Sequence, residues 1–294
     1  MTILVTAASG QLGRLVVEAL LARGAQPSEI VATARDTAKL AELSARGIRT
    51  AELDYDRPET IAAALDGVDR VLLISGSAPG ARLQGHRNVI DAAKAAGVAQ
   101  LVYTSAPKAT TAEGFPLAAD HKATEEAIAA AGVPAVILRN NWYTENYVPD
   151  VSRAAETGVI ASSAGDGRVA SATRADFAEG AAAVLLDGRT LEGRTLELTG
   201  DTAWTFDDLA AAASEVVGRE VTYQPLSTEE QVSALESAGL DHGTAAFVAG
   251  IDDAIRRGVL GDATPTLSEL IGRPTTPLVE ALRAAIDGER AAAA

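Results

Sequence analysis

The stretch Thr2-Ile3-Leu4-Val5-Thr6-Ala7-Ala8-Ser9-Gly10-Gln11-Leu12-Gly13 constrains the fold more than any other part of the chain. Ile3, Leu4 and Val5 suit a strand buried on both faces of a parallel sheet, and Leu12, Leu15, Val16, Ala19 and Leu20 follow at helical spacing. The turn between them therefore stands at a strand's carboxyl end. Small side chains at Ala7, Ala8 and Gly10 let the backbone approach a pyrophosphate, whose charge the first amides of the helix meet; Gly13 lets that helix pack closely on the strand. The contacts expected of this loop run through Thr6, Ala7, Ala8, Ser9, Gly10, Gln11 and Leu12. The competing reading is an ordinary strand-to-helix turn, and the placement between strand and helix favours a dinucleotide.

Strand and helix go on alternating beyond the first helix. Glu29 to Ala34 reads as a second strand, and the residue at its carboxyl end, Arg35, selects the cofactor. An acidic side chain there would accept from the ribose hydroxyls of NAD, whereas a guanidinium grips a 2′-phosphate. Lys39 adds a second positive charge one turn later, while Asp36 can still accept from a ribose. NADPH is therefore the expected cofactor, with NADH a weaker one. A helix over 37–46 precedes a third strand, Ile48 to Leu53, and Asp54 and Tyr55 at its end can flank the adenine. A fourth strand, Val68 to Ile74, ends in Ser75-Gly76-Ser77, small polar residues suited to the middle of the cofactor. His86, near the start of the next helix, reads as part of a solvated first turn.

Parallel pairing through helical crossovers makes this a Rossmann-like doubly wound α/β sheet. The fifth strand runs through Thr104, which faces the cofactor, to Ser105, where a short-chain dehydrogenase places its active-site serine. The Tyr-x-x-x-Lys of such an enzyme would fall on Ala118 and Lys122: the lysine, suited to the ribose, is in register and the tyrosine acid is missing. Reducing a simple ketone requires a proton delivered to a developing alkoxide. A quinone does not, because hydride addition gives a delocalised phenolate that takes its proton from solvent. His121 is a candidate donor or substrate-orienting group, or a satisfied structural histidine.

The sixth strand, Ala135 to Leu138, runs into Arg139-Asn140-Asn141-Trp142-Tyr143-Thr144-Glu145-Asn146-Tyr147, the densest polar-aromatic stretch in the chain. After the sixth strand it should border the nicotinamide; Asn140, Asn141 and Tyr143 would orient the rings and Trp142 the substrate. Beyond Val151 the alternation fails. Gly165-Asp166-Gly167-Arg168 forms a turn before a short strand, 169–173, a helix runs from Arg174 to about Leu186, and a strand over 195–199 rejoins the sheet. The remainder reads as a mainly helical lid. The expected division is a dinucleotide-binding domain over 1–150, with 169–199 returning to it. A smaller substrate lobe covers 200–288 with help from 151–168, and 289–294 form a frayed tail.

Composition narrows the partners. Forty acidic against 25 basic residues give a net charge of −15, which argues against nucleic acid or an anionic membrane surface. There is no cysteine, and three scattered histidines leave no metal spacing. No apolar run approaches a membrane-spanning length, and Met1 leads directly into the first strand, so the expected compartment is the cytoplasm. A homodimer is the assembly left open.

With Val-Ala-Thr-Ala-Arg-Asp (31–36), Leu-Leu-Ile-Ser-Gly-Ser (72–77), Leu-Arg-Asn-Asn-Trp-Tyr-Thr-Glu-Asn-Tyr (138–147) and Gly-Asp-Gly-Arg-Val-Ala-Ser-Ala-Thr-Arg-Ala-Asp (165–176), the chain resembles the NmrA-like atypical short-chain dehydrogenases. The likeness is greatest to their bacterial NADPH:quinone oxidoreductase type 2 branch and extends to Ile271-Gly272-Arg273-Pro274-Thr275-Thr276. It implies NADPH contacts from Ala7 to Leu12, Arg35, Ser75 to Ser77 and Asn140 to Glu145, with a quinone pocket lined from around Ser171. Ala7 stands where the family usually has Gly, and Asn141 where the branch often has Gly. The alternative from another class is a non-catalytic NADP(H)-sensing regulatory protein on the same fold.

Overall fold

The computed structural model of the chain describes residues 1–76, 78, 80–187 and 190–293, the last five as backbone only. Strand and helix alternate as β1 (Ile3–Val5), α1 (Gln11–Ala22), β2 (Ile30–Ala34), α2 (Ala41–Ala45), β3 (Arg49–Glu52), α3 (Pro58–Ala64), β4 (Arg70–Leu73), α4 (Leu83–Ala96), β5 (Gln100–Ser105), α5 (Ala118–Ala131) and β6 (Ala135–Asn140). Then come α6 (Val148–Thr157), β7 (Val159–Ser162), β8 (Arg168–Val169), α7 (Arg174–Leu186), β9 (Thr195–Leu198), β10 (Trp204–Thr205), α8 (Phe206–Val217) and β11 (Thr222–Pro225). The chain closes with α9 (Thr228–Ser237), α10 (His242–Arg256), α11 (Thr266–Ile271) and α12 (Leu278–Ala293).

Contacts divide the chain into two units. The first comprises Met1–Thr110, Leu117–Asn140 and Arg174–Leu198. Its seven strands are all parallel, in the order β3-β2-β1-β4-β5-β6-β9. Leu4 in β1 stands opposite Val31 on one side and Val71 on the other. Ile3, Leu4 and Val5 have no exposed surface, as a strand covered on both faces requires. Because β2 and β4 flank β1, strand order reverses there, and the crevice at the carboxyl ends of β1 and β4 is where open α/β sheets bind ligands.

The second unit holds Thr111–Pro116, Asn141–Thr173 and the residues from Thr199 on. It carries two small sheets, β10 antiparallel to β8 and β11 parallel to β7. The chain passes to this unit at Asn141, ten residues before the sequence places a boundary, because the β6 ladder ends at Asn140 and Tyr143 bridges Ala172 instead. Among the described residues no helix is long and apolar enough to cross a membrane.

Several expected elements differ. The helix over 37–46 is a 3-10 turn, Thr37–Leu40, followed by the short α2, since Asp36 accepts from the Ala38 amide and caps a tight turn. The strand over 169–173 is reduced to β8, because the Ala170 amide bonds to Leu260 and that of Ala172 to Trp142 rather than to a ladder partner. β7 and α6 arise where no element was read. The expected tail is helical to Ala293, Ala, Glu and Arg being strong helix formers.

Candidate functional site

At the end of β1 the Thr6 hydroxyl donates to the Leu72 carbonyl (2.9 Å) and accepts from the Ile74 amide (2.9 Å). Tyr55 Oη lies 2.7 Å from Thr6 Oγ1 and 2.7 Å from the Ile74 carbonyl. Thr6 is thus a buried strut between the ends of β1 and β4, and Ala8 beside it is also buried, its amide bonded to Thr33. Ala7 turns the chain with φ of 50°, the left-handed region that favours glycine. The loop closes through the Gly10 amide to the Ala7 carbonyl, 2.9 Å. Gly10 supplies no side-chain cap, so the first amides of α1 find no acceptor from it and suit an anion.

Around this turn lies a cleft of about 490 Å³. Its floor is Ala7 and Ser9 to Gly13, and its walls come from Ala34 and Arg35 after β2, Leu53 to Asp56 after β3, and Ile74, Ser75, Gly76, Ala78, Ala81, Arg82 and Gly85 after β4. Of the residues expected from the sequence, Ala7, Ser9, Gly10, Gln11, Leu12, Arg35, Asp54, Ser75 and Gly76 meet here. Ser77 lies outside the described residues. Thr104 sits behind the wall, its hydroxyl accepting from the Ser75 amide at 2.9 Å. Lys39 is exposed but not on the wall.

Asp36 and Arg35 separate cleanly. The Asp36 carboxylate is taken by the Ala38 amide at 3.0 Å, whereas Arg35 is exposed on the wall and forms no ion pair among the described residues. A free guanidinium at the end of β2, a helix start without a side-chain cap, and a glycine floor at Gly13 fit a dinucleotide with a 2′-phosphate. Sequence reasoning missed Arg82 and Gly85. A β-carbon on Gly85 would lie 2.8 Å from Tyr55 Cβ, and a glycine inside the helical pattern of α4 was the available signal of close approach.

The short-chain dehydrogenase positions are occupied differently. Ser105 donates to Glu125 Oε1 at 2.6 Å, and Arg139 grips both oxygens of that carboxylate at 2.9 and 2.6 Å while also pairing with Glu197 at 2.9 Å. Lys122 is exposed on α5. His121 is 3% exposed, 2.8 Å from the Tyr103 hydroxyl, and 3.4 Å from an Arg82 guanidinium nitrogen. Burial, reinforced by Arg82, lowers its pKa to about 3. His86, fully buried, accepts from the Gly76 amide through Nε2 (2.9 Å) and has its pKa lowered to about 4, chiefly by burial.

Asn140 ends β6 with only 5% exposure, and its Oδ1 has no hydrogen-bond partner among the described residues. In the second unit, Asn141 donates to the Leu260 carbonyl (3.1 Å) and accepts from the Trp142 amide (2.8 Å), so both ends of its amide group hold backbone. Tyr143 bridges Ala172, and the next residue, Thr144, places its hydroxyl 2.8 Å from Ser171 Oγ. Trp204 Nε1 donates to the same Ser171 oxygen at 2.9 Å. Thr144, Ser171 and Trp204 line a second cavity of about 730 Å³, closed by Ala211, Ala212 and the segment 274–279. Trp142 and Glu145 are not among the residues lining either cavity.

Comparison with known proteins agrees with this geometry. A profile of the NAD(P)H-binding family matches residues 7–188, from the turn at Ala7 to just past the end of α7. The chain belongs to the NAD(P)H-binding family. Within it the chain is NmrA-like, and the Quinone oxidoreductase 2 of Escherichia coli (strain K12) is 45% identical over 280 residues, 95% of this chain and 97% of that protein. The crystal structure of the NADPH-dependent quinone oxidoreductase of E. coli complexed with NADPH superposes with a TM-score of 0.92 at 45% identity, covering 96% of this chain and 98% of that one. Citrobacter sp. triphenylmethane reductase complexed with NADP(H) gives 0.90 at 38% identity, covering 97% and 100%. The NAD(P)H-binding fold expected from the first turn is thus shown.

Proposed function

We propose that this chain is an NADPH-dependent quinone oxidoreductase that delivers hydride directly to a quinone-like acceptor, without flavin or metal. The observation that carries the reading is the end-to-end 45% identity with the E. coli quinone oxidoreductase. When bound, NADPH supplies the hydride. The protein's part is positioning. The amides of Gln11 and Leu12 meet the pyrophosphate, Arg35 holds the 2′-phosphate, and Ser75 and Gly76 follow the middle of the cofactor. Asn140, with its bare Oδ1, is an orienting group, and Tyr143, Asn141 and Lys122 complete that set in the proposal. Thr144, Ser171 and Trp142 belong to the acceptor side.

Ala118 holds the position of the missing tyrosine, and Tyr103 is buried against His121. The hydroquinone anion left by hydride addition takes its proton from solvent, which suits a quinone and fails a simple ketone. The proposal extends to a cytoplasmic protein acting as a homodimer, which light scattering would check. The test of function is oxidation of NADPH and, separately, NADH by the purified protein with soluble quinones and a cationic triphenylmethane dye, each with and without added flavin. Flavin-independent NADPH oxidation by a quinone is expected. Tight NADPH binding with no turnover on any acceptor would overturn the reading in favour of a dinucleotide-sensing regulator.

A further inference from the structure

Between Ile74 and Arg82 the wall of the cleft after β4 is lined by small residues, Ser75, Gly76, Ala78 and Ala81, with Gly80 directly before Ala81 in the chain. Their backbone is held. The Gly76 amide donates to His86 Nε2 at 2.9 Å, and the Gly80 amide donates to Asp120 Oδ2 at 2.6 Å. Asp120 Oδ2 also lies 3.2 Å from Arg82 Nε, so one carboxylate oxygen holds both Gly80 and the start of α4.

His86 has a defined hydrogen-bond direction. Because Nε2 accepts from an amide, the proton must sit on Nδ1, which lies 3.0 Å from Thr124 Oγ1; that hydroxyl in turn donates to the Asp120 carbonyl at 2.9 Å. The chain Gly76–His86–Thr124–Asp120 therefore ends on α5 at the residue that holds Gly80. Edge-on rings of Tyr55 and Tyr103, 6.0 and 5.5 Å from the imidazole, fix its plane. A solvated histidine at a helix start would need none of this.

We infer that His86 and Asp120 are a two-point clamp, positioning residues that pre-order the wall of the cofactor cleft and so set NADPH affinity without touching the reacting atoms. The inference rests on the reading of the 490 Å³ cleft as the cofactor site. A wall of small residues left free would have to be ordered at each binding event, and that entropy is subtracted from affinity. Clamping it beforehand tightens binding in the ground state and transition state alike. The effect should appear in Kd and KM for NADPH and not in kcat.

The test is NADPH titration by fluorescence together with steady-state kinetics on four variants. His86→Leu removes the acceptor and Asp120→Ala the second anchor. Each is expected to weaken NADPH binding about 3- to 10-fold, the factor of one hydrogen bond, with kcat within twofold of wild type. His86→Gln, whose amide oxygen can accept from Gly76, should recover most of the loss. Asp120 is a partly exposed residue, so if His86→Leu fails to fold, Asp120→Ala decides. Unchanged NADPH affinity in folded Asp120→Ala, or a fall in kcat with unchanged Kd, would overturn the clamp. Gly10→Asp separates the two readings: a carboxylate at the cap of α1 favours the helix yet repels phosphate. If it binds NADPH as wild type does, the cleft reading falls and the clamp with it. If it loses binding while Asp120→Ala does not, only the clamp falls.

Discussion

Gly13 stands so close to Ala7 that a β-carbon added to it would lie 2.3 Å from the Ala7 carbonyl oxygen and 2.8 Å from Ala8 Cα. Both neighbours are backbone and neither can swing away, so α1 packs on the turn only because residue 13 has no side chain. Gly13→Ala must push the helix off the loop. A loss of roughly 2 kcal/mol is expected, in the range of overpacked sites, together with at least tenfold weaker NADPH binding. Thermal unfolding and fluorescence titration would check it, and a variant with wild-type Tm and affinity would contradict the close packing.

The same turn holds a residue that is less comfortable. Ala7 sits at φ of 50°. A left-handed alanine costs about 1–2 kcal/mol, of which glycine would regain part after its own greater loss of chain entropy. Ala7→Gly should therefore raise Tm by roughly 2 °C. A fall in Tm would mean that the alanine methyl gains more from packing than its backbone loses.

Arg35 is an exposed cation at the end of β2 with no ion pair among the described residues, and the Asp36 carboxylate beside it is already bonded to the Ala38 amide. Arg35→Ala should raise KM for NADPH at least tenfold and leave KM for NADH nearly unchanged, since only the former carries a 2′-phosphate. Equal effects on both cofactors would remove Arg35 from the specificity role.

Much of the fold and of the cofactor cleft is legible in the sequence because the signals are local. Ile3-Leu4-Val5 before a small-residue turn, Arg35 after a strand, and Gly13 one helical turn beyond the loop each carry their meaning within about ten residues. The losses are non-local. β7 is a four-residue strand whose partner, β11, begins 63 residues after it does, so no window around Val159 could show the pairing. His86 reads as a solvated helix start because nothing near it in sequence says that Gly76, Tyr103 and Thr124 close over it. The Asn141 amide holds the Leu260 carbonyl 119 residues away, a contact that no window around it shows.

Ser105 donates to Glu125, which Arg139 holds with two hydrogen bonds, all three largely buried. The serine is therefore part of an ion-pair network and not a proton donor to substrate. Ser105→Ala should leave kcat within twofold. Glu125→Ala, which takes the acceptor from Ser105 and leaves the guanidinium with Glu197 as its ion-pair partner, should cost about 2 kcal/mol of stability with little change in NADPH affinity measured below Tm. A hundredfold fall in kcat for Ser105→Ala would restore the dehydrogenase role to that hydroxyl.

The two units should respond to acid in opposite directions. In the first, burial and Arg82 lower the pKa of His86 to about 4 and that of His121 to about 3. An unfolded histidine titrates near pH 6.5, so below that value the unfolded chain binds protons that the folded chain refuses. The stability held by these imidazoles is complete above about pH 6.5 and falls with acidification, by roughly 3 kcal/mol for His86 at pH 4. In the second unit Asp252 is raised by burial, despite hydrogen bonds from Ser162 Oγ and Gln231 Nε2. Its folded form keeps a proton that an unfolded aspartate has released above about pH 3.9, so the stability it contributes increases as pH falls toward that value. Hydrogen exchange at pH 7 and pH 5, corrected for intrinsic rates, should show α4 and α5 losing protection while α9 and α10 keep or gain it. Equal loss in both units, or none in α4 and α5, would refute the assignment of the acid-sensitive groups to the imidazoles behind the cleft.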